Sequence, residues 1–261
     1  MAETPIVFDA ADDYERYMGP WSRALGERFL AWLAAPSQAD WLDVGCGTGA
    51  FSELILQRGA PRSLAGIDPS PEQITYVQRR LRGHRFQVGD AAAIPFDRDT
   101  MDVVASALVL HFIPDRAAAF AEMARVLRSG GQVAGYTWKR TATEDFAAYA
   151  PILRATERLG SESLHSPVIP EGTLDGMRAS LRAAGFIDVE ATEIVATRTF
   201  ETFDDYWTVQ TLPFSASGKT VAKLDDRQRA RLQQLLRETL VAPDGTITYA
   251  AIAIAGKGRK R

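Results

Sequence analysis

Through roughly its first 140 residues, the chain alternates short apolar runs rich in β-branched residues with longer stretches whose apolar positions recur every three or four residues. Successive parallel strands need a crossover about as long as a helix, so this alternation is what repeated strand–helix–strand units look like in sequence. Strands are expected at Trp41 to Val44, Ser63 to Ile67, Arg85 to Val88, Asp102 to Ala107 and Gly131 to Trp138, and none contains a proline. Helices are expected at Gly49 to Arg58, Pro71 to Leu81 and Arg116 to Leu127. Ser70 suits a cap ahead of Pro71, and Ser129-Gly130-Gly131 reads as the end of the last helix.

The later half departs from this rhythm. A helical stretch from Thr173 to Ala184 stops at Gly185, and Phe186 to Phe200 and Thr246 to Ala255 read as two long strands that close the sheet, at least one pairing antiparallel. The expected fold is α/β: a doubly wound, mostly parallel, seven-stranded sheet with helices on both faces. Two segments fit no repeating unit, 143–172 and 201–244, the second with a helical Asp225 to Val241. Connections in compact domains are usually about 2 to 6 residues, so both segments are read as helical lid insertions over a substrate. Residues 1–261 are read as a single domain.

The strongest local signal is Asp43-Val44-Gly45-Cys46-Gly47-Thr48-Gly49, at the end of the first predicted strand. Glycines there let the backbone approach a ligand and supply amides at a helix start. Alone the pattern is ambiguous, since Gly45-x-Gly47-x-x-Ala50 also satisfies the dinucleotide fingerprint. Asp68 stands 23 residues after Gly45, just past the second strand, where a carboxylate can accept the hydroxyls of an adenosine ribose. Asp90 follows the third strand and could take an adenine amino group while the Ala91 amide meets a ring nitrogen. Either carboxylate alone could equally be a helix cap. Three such features after three consecutive strands favour one nucleoside ligand.

These residues carry a resemblance. Asp43-x-Gly45-x-Gly47-x-Gly49, Gly66-Ile67-Asp68-Pro69-Ser70, Gly89-Asp90-Ala91-Ala92-Ala93-Ile94-Pro95-Phe96, the run from Asp102 to Asp115 and Arg125 to Gly131 together resemble the class I S-adenosylmethionine-dependent methyltransferases, in their ubiquinone/menaquinone methyltransferase-like, type 11 branch. The resemblance covers residues 10 to 140 and implies a Rossmann-like sheet that binds S-adenosylmethionine and releases S-adenosylhomocysteine. It implies that Gly45 and Gly47 hold the methionine part of the cofactor, Asp68 the ribose and Asp90 with Ala91 the adenine. It further implies that Asp43 and the Ala107 carbonyl face the methionine amine, with Cys46, Pro69, Gln73 and Leu108 along the same ligand. The segment Tyr14 to Arg23 looks like the family's N-terminal flap, here 1–35, in which Tyr17 and Arg23 close over the cofactor. Cys46, inside the turn, reads as a small packed residue rather than a nucleophile.

Composition narrows the partners. A net charge of −3 offers no global positive field, so no nucleic-acid partner is expected. The basic terminus of Lys257, Arg259, Lys260 and Arg261 reads as a solvated tail. One cysteine can neither close an internal disulfide nor build a thiolate site for a metalloid acceptor, and no metal is expected. No apolar run approaches the roughly 20 residues of a membrane span, the nearest being Val103 to Phe112. Without a secretory leader in the sequence, the cytoplasm is the expected compartment. Oligomeric state is not legible.

Methyl transfer from a sulfonium is an in-line displacement, so alignment and exclusion of water matter more than a catalytic triad. Where the acceptor is a hydroxyl or an acidic carbon, a general base helps, and His111, just beyond the fourth strand, is the best placed; packing is its plainer role. His84 and His165 are less well placed. Trp138, Tyr149, Phe200, Phe203, Tyr206, Trp207, Leu212 and Phe214 gather around the insertions and suggest a small apolar or aromatic acceptor, methylated on oxygen or carbon. A carboxylic acid acceptor would instead draw attention to Arg140, Arg154 or Lys219. An NAD-dependent oxidoreductase and a non-catalytic S-adenosylmethionine sensor are the competing readings.

Overall fold

The computed structural model describes residues 11–142, 144–163 and 168–261. His165, the Tyr14 side chain and the first ten residues of the expected flap lie outside the described residues. Seven strands form one sheet in the order β3-β2-β1-β4-β5-β7-β6. The strands are β1 (Asp40–Val44), β2 (Ser63–Asp68), β3 (Arg85–Val88), β4 (Met101–Ala107), β5 (Leu127–Trp138), β6 (Ile187–Phe200) and β7 (Ile247–Arg259). The first five pair in parallel, and β7 runs antiparallel to both β5 and β6. Strand order reverses between β1 and β4, which opens a crevice at their carboxyl ends.

Side chains alternate across this sheet. Trp41, Val103 and Ala105 join a core shared with helices α1 (Ala11–Leu33), α2 (Ala50–Arg58) and α3 (Pro71–Arg80). Leu42, Val44 and Val104 point the other way, to α4 (Arg116–Val126) and α6 (Leu174–Ala183). Interior parallel strands must be apolar on both faces, and so these read as unbroken apolar runs rather than alternating ones. The two long insertions hold α5 (Ala150–Arg158) in one and α7 (Phe203–Gln210), α8 (Ala216–Ala222) and α9 (Asp226–Leu240) in the other. Asp225 caps α9 in a reciprocal box with Gln228.

Two local expectations need correction. The glycine pair near residue 130 does not end a helix: α4 stops at Val126, and β5 begins at Leu127. Leu127 pairs with Met101 while Gln132 pairs with Val103, so extra residues bulge out, and Gly130 takes φ 77° within that bulge. The basic terminus is not a solvated tail. β7 runs on to Arg259 opposite Gln132, the Lys257 ammonium donates to the Trp32 carbonyl at 3.2 Å, and that of Lys260 reaches Asp99 at 2.7 Å.

Pro20 lies inside α1, where it lacks the N–H that would bond the Arg16 carbonyl. The helix survives because Arg198 of β6 donates to the carbonyls of Arg16 and Tyr17 at 3.1 and 3.0 Å. Its guanidinium also lies 4.2 Å from the Phe200 ring centroid. Among the described residues no helix is long and apolar enough to cross a membrane.

Candidate functional site

The glycine turn forms as β1 ends. Gly45, Gly47 and Gly49 take φ of 76°, 52° and 87°, a region costly for any other residue. A Cβ on Gly45 would strike Val109 at 2.5 Å and one on Gly49 would strike Val77 at 2.5 Å, whereas one on Gly47 would meet nothing within 4 Å. The outer glycines are therefore needed for packing, and Gly47 leaves an open cradle on the crevice side.

The turn's amides are already committed. Gly45 and Cys46 both donate to the Ile67 carbonyl at 2.8 and 2.9 Å, and Gly47 donates to Asp68 Oδ2 at 3.0 Å. Asp68 Oδ1 accepts from Ser70 N–H at 3.0 Å, which draws its carboxylate back over the turn. Burial raises the Asp68 carboxyl, opposed by these two amide bonds. A pyrophosphate needs such amides free and would meet two carboxylates here, Asp68 and Asp43. The turn is built for a neutral or cationic group.

Asp43 is fully buried, and one oxygen accepts from Ser52 Oγ at 2.6 Å. Its other oxygen, Oδ1, has no hydrogen-bond partner among the described residues. Desolvation, aided by the nearby Asp68 charge and opposed by Ser52, lifts the carboxyl to about 7. A buried carboxylate oxygen left without a donor is expensive, and an arriving ammonium is the group that would satisfy it. Gln73 Oε1, on the first turn of α3 after Pro69, and Ser106 Oγ on β4 are likewise buried without partners among the described residues. Cys46 is buried, and its thiol is pushed well up by desolvation, then by Asp43 and Asp68, so it stays protonated.

Asp90 projects into solvent beyond β3 and holds its own loop, with Oδ1 accepting from Ala92 N–H at 2.8 Å and Ala91 between them. After Ala107 the chain reverses at Leu108, which adopts φ 57° while its N–H donates to the Tyr136 carbonyl at 2.8 Å. A left-handed leucine costs of order 1 to 3 kcal/mol and marks a backbone held against preference at the crevice edge.

The N-terminal helix reaches this region by two routes. Glu15 pairs with Arg23 and, at 3.6 Å, with Arg80, whose guanidinium also binds Glu53 at 2.6 Å and the Thr48 carbonyl at 3.4 Å. Arg23 itself is half exposed and engaged by Glu15. Tyr17 is buried edge-on to Phe214 of the second insertion, with ring centroids 5.7 Å apart.

His111 sits in a short 3-10 turn, Leu110–Phe112, after β4. Its Nδ1 lies 3.3 Å from Thr137 Oγ1 and its ring 4.0 Å from that of Phe112. Desolvation, with the Arg140 charge second, lowers the imidazole to about 3, so it is neutral at pH 7. With Thr137, Trp138, Arg140, Tyr149 and Ile169 it lines a cavity of about 10 Å³, room for one water. Phe112 and Val168, at 50% and 52% exposure, are large apolar side chains open to solvent on residues adjacent to this lining. Arg140 pairs with Asp145 at 2.8 Å; Arg154 is exposed. His84 precedes β3, at the opposite end of the strands.

Sequence reasoning missed Ser52, which orients Asp43, and Arg80 and Arg198, which tether α1. A serine in the first turn of α2 carries no distinguishing signal, and the two arginines reach α1 from far along the chain, Arg80 to Glu15 and Arg198 to Arg16, 182 residues away.

A family model described as a methyltransferase domain matches residues 42–135. The chain is 30% identical over 166 residues to malonyl-[acyl-carrier protein] O-methyltransferase of Pectobacterium atrosepticum, covering 64% of this chain and 62% of that protein. It is 30% identical over 203 residues to erythromycin 3''-O-methyltransferase of Saccharopolyspora erythraea, covering 75% and 65%. The chain thus spans less than two thirds of these relatives' length. Phosphoethanolamine N-methyltransferase 2 of Haemonchus contortus, solved in complex with S-adenosyl-L-methionine, superposes with a TM-score of 0.61 at 15% identity, covering 99% of this chain and 59% of that one. That likeness bears on the fold alone. Turn, strand order and sequence similarity converge: residues 42–135 match the methyltransferase domain family, and the chain is similar there to class I S-adenosylmethionine-dependent methyltransferases of the type 11 branch.

Proposed function

We propose that the protein binds S-adenosylmethionine in the β1–β4 crevice and transfers its methyl group to a small apolar or aromatic acceptor, on oxygen or carbon. The observation that carries this reading is Asp43 Oδ1, a fully buried carboxylate oxygen lacking a donor beside an open glycine cradle. The donor set fits the cofactor: Asp43 for the ammonium with the Ala107 carbonyl, Gly45, Cys46 and Gly47 for the methionine part, Asp68 with Pro69 and Gln73 for the ribose, Asp90 and Ala91 for the adenine, and Leu108 at the edge. Tyr17 and Arg23 belong to the helix that covers them. Bound there, the cofactor supplies a sulfonium methyl open to in-line displacement.

What the chain contributes is alignment and exclusion of water, which can supply on the order of 7 to 11 kcal/mol of a barrier. The turn and its acids fix the donor, and the segments 143–172 and 201–244 cover the acceptor. His111 is neutral at pH 7, so one ring nitrogen can accept a hydrogen bond from an acceptor hydroxyl while the other faces Thr137. Its low proton affinity suits a hydrogen-bond acceptor that orients the hydroxyl, whose proton passes to solvent water as the new oxygen–methyl bond forms.

Calorimetric titration with S-adenosylhomocysteine tests the cofactor half, with one site per chain expected and absence of heat refuting it. For the transfer half, radiolabel from methyl-labelled cofactor is expected in the organic extract of reactions containing small phenols. Label confined to the unreacted cofactor across such a panel, with the cofactor bound, would leave a binding protein rather than an enzyme.

A further inference from the structure

Next to the His111 cavity, side chains of α1, α7, β5, β6 and β7 pack into an aromatic cluster. The Tyr249 ring lies 5.4 Å from Trp21, 6.0 Å from Tyr206 and 6.2 Å from Phe200, and Trp21 stands edge-on to Trp138 at 6.5 Å. Trp138 lines the His111 cavity as well, so the cluster and the cavity share a side chain. They are also linked through Ala148, beside the cavity-lining Tyr149, whose carbonyl accepts from Tyr249 Oη at 2.7 Å.

Three polar atoms of this cluster are buried without hydrogen-bond partners among the described residues: Trp21 Nε1, Tyr206 Oη and Gln210 Oε1. Each belongs to a side chain at most 1% exposed. Tyr206 and Gln210 are four residues apart, hence on one face of α7. The Gln210 amide is oriented, because its Nε2 donates to Tyr249 Oη at 2.9 Å and leaves Oε1 to accept. Native interiors rarely strand three such groups together, since each costs about 1 to 3 kcal/mol unless something satisfies it.

The arrangement specifies a partner. An indole N–H only donates, the Gln210 oxygen only accepts, and a phenol does either. Of the cations nearby among the described residues, Arg198 is committed to the Arg16 and Tyr17 carbonyls, and Arg154 acts on Tyr206 from an exposed position. A carboxylate would meet the Gln210 oxygen without a proton to offer it, and an ammonium would meet the indole N–H.

We propose that this cluster opens to form the acceptor site, and that Trp21, Tyr206 and Gln210 select a neutral, ring-bearing acceptor carrying hydroxyl or carbonyl groups. The inference rests on the methyltransferase reading, because the acceptor must approach from the crevice side past His111 and Trp138. The cluster is closely packed in the ligand-free chain, so α7 or the first half of α1 must yield as the acceptor enters.

The test is calorimetry on the full chain saturated with S-adenosylhomocysteine, using 2-naphthol and 2-naphthoate as probes of one ring system. The naphthol is expected to bind at least tenfold more tightly than the naphthoate. Tyr206→Phe and Gln210→Leu should each weaken naphthol binding roughly five- to tenfold, the worth of one hydrogen bond, without changing the S-adenosylhomocysteine Kd. Ligand-free Tyr206→Phe should melt no lower than the parent, because it deletes an unsatisfied hydroxyl; a lower Tm would show a water-satisfied structural hydroxyl and overturn the assignment. It is also overturned where S-adenosylhomocysteine binds normally but naphthol does not bind, naphthoate binds more tightly, or both variants match the parent. Failure of S-adenosylhomocysteine itself to bind the parent would instead sink the cofactor reading, and this inference with it.

Discussion

Replacing Asp43 by asparagine separates the cost of the site from its use. Burial lifts this carboxyl to about 7 from an ordinary 3.8. At about 1.4 kcal/mol per tenfold in proton affinity, keeping it ionised in the ligand-free fold costs roughly 4 kcal/mol. The folded value lies above the unfolded one, so the cost is absent below about pH 4, grows between pH 4 and 7, and is complete above. Asparagine can keep the Ser52 bond and carries no charge. The ligand-free variant should therefore be more stable than the parent by close to 4 kcal/mol at pH 8, and by under about 2 kcal/mol at pH 5. For a chain of this length that is a Tm rise of roughly 8 to 16 °C at pH 8. The amide would present N–H groups where an ammonium is due, so S-adenosylhomocysteine affinity should fall on the order of 10- to 100-fold. Thermal melts at pH 5, 6, 7 and 8 with calorimetry in parallel give both readings. A stability difference that does not vary with pH, or unaltered affinity for S-adenosylhomocysteine, would refute the reasoning.

Gly47→Ala meets no neighbour. It should cost only about 1 kcal/mol of fold stability for its positive φ, yet weaken S-adenosylhomocysteine binding at least tenfold. Gly45→Ala, driven into Val109, should lower Tm much further. His111→Ala is expected to cut turnover up to about tenfold, the worth of one hydrogen bond, while leaving the cofactor Kd within about twofold, and the parent rate should show no step near pH 6.5 because the folded imidazole titrates far lower. Unchanged turnover would remove its role. The depressed His111 value also means that the stability it contributes is full above about pH 6.5 and is lost as pH falls towards 3. Arg198→Ala leaves the Arg16 and Tyr17 carbonyls without their donors; hydrogen exchange in residues 11–24 should quicken at least tenfold while β1 and β4 stay protected, and uniform exchange would argue against the tether.

The strands, the crevice and the turn were legible in the chain because each rests on local chemistry. Apolar β-branched runs declare buried parallel strands, Ser70 before Pro71 declares a helix start, and positive-φ glycines declare a turn. The bulge at Gly130 was not legible, since the same Ser129-Gly130-Gly131 that ends a helix also serves a strand irregularity, and only pairing with β4 and the terminal residues selects the second. The basic terminus misled for a similar reason: its lysines look solvated until β7 is laid beside β5 and their ammonium groups find Trp32 and Asp99.

Sequence alone determined the alternating architecture, the glycine turn and the identity of the two acids that follow it, because these depend on residues within one element or at its end. Only the tertiary structure decided that Asp43 is stranded by one oxygen, that Asp68 closes the turn's amides against a phosphate, and that Trp21, Tyr206 and Gln210 meet around Tyr249. Those outcomes depend on which groups find partners after burial, and that is settled between elements far apart in the chain.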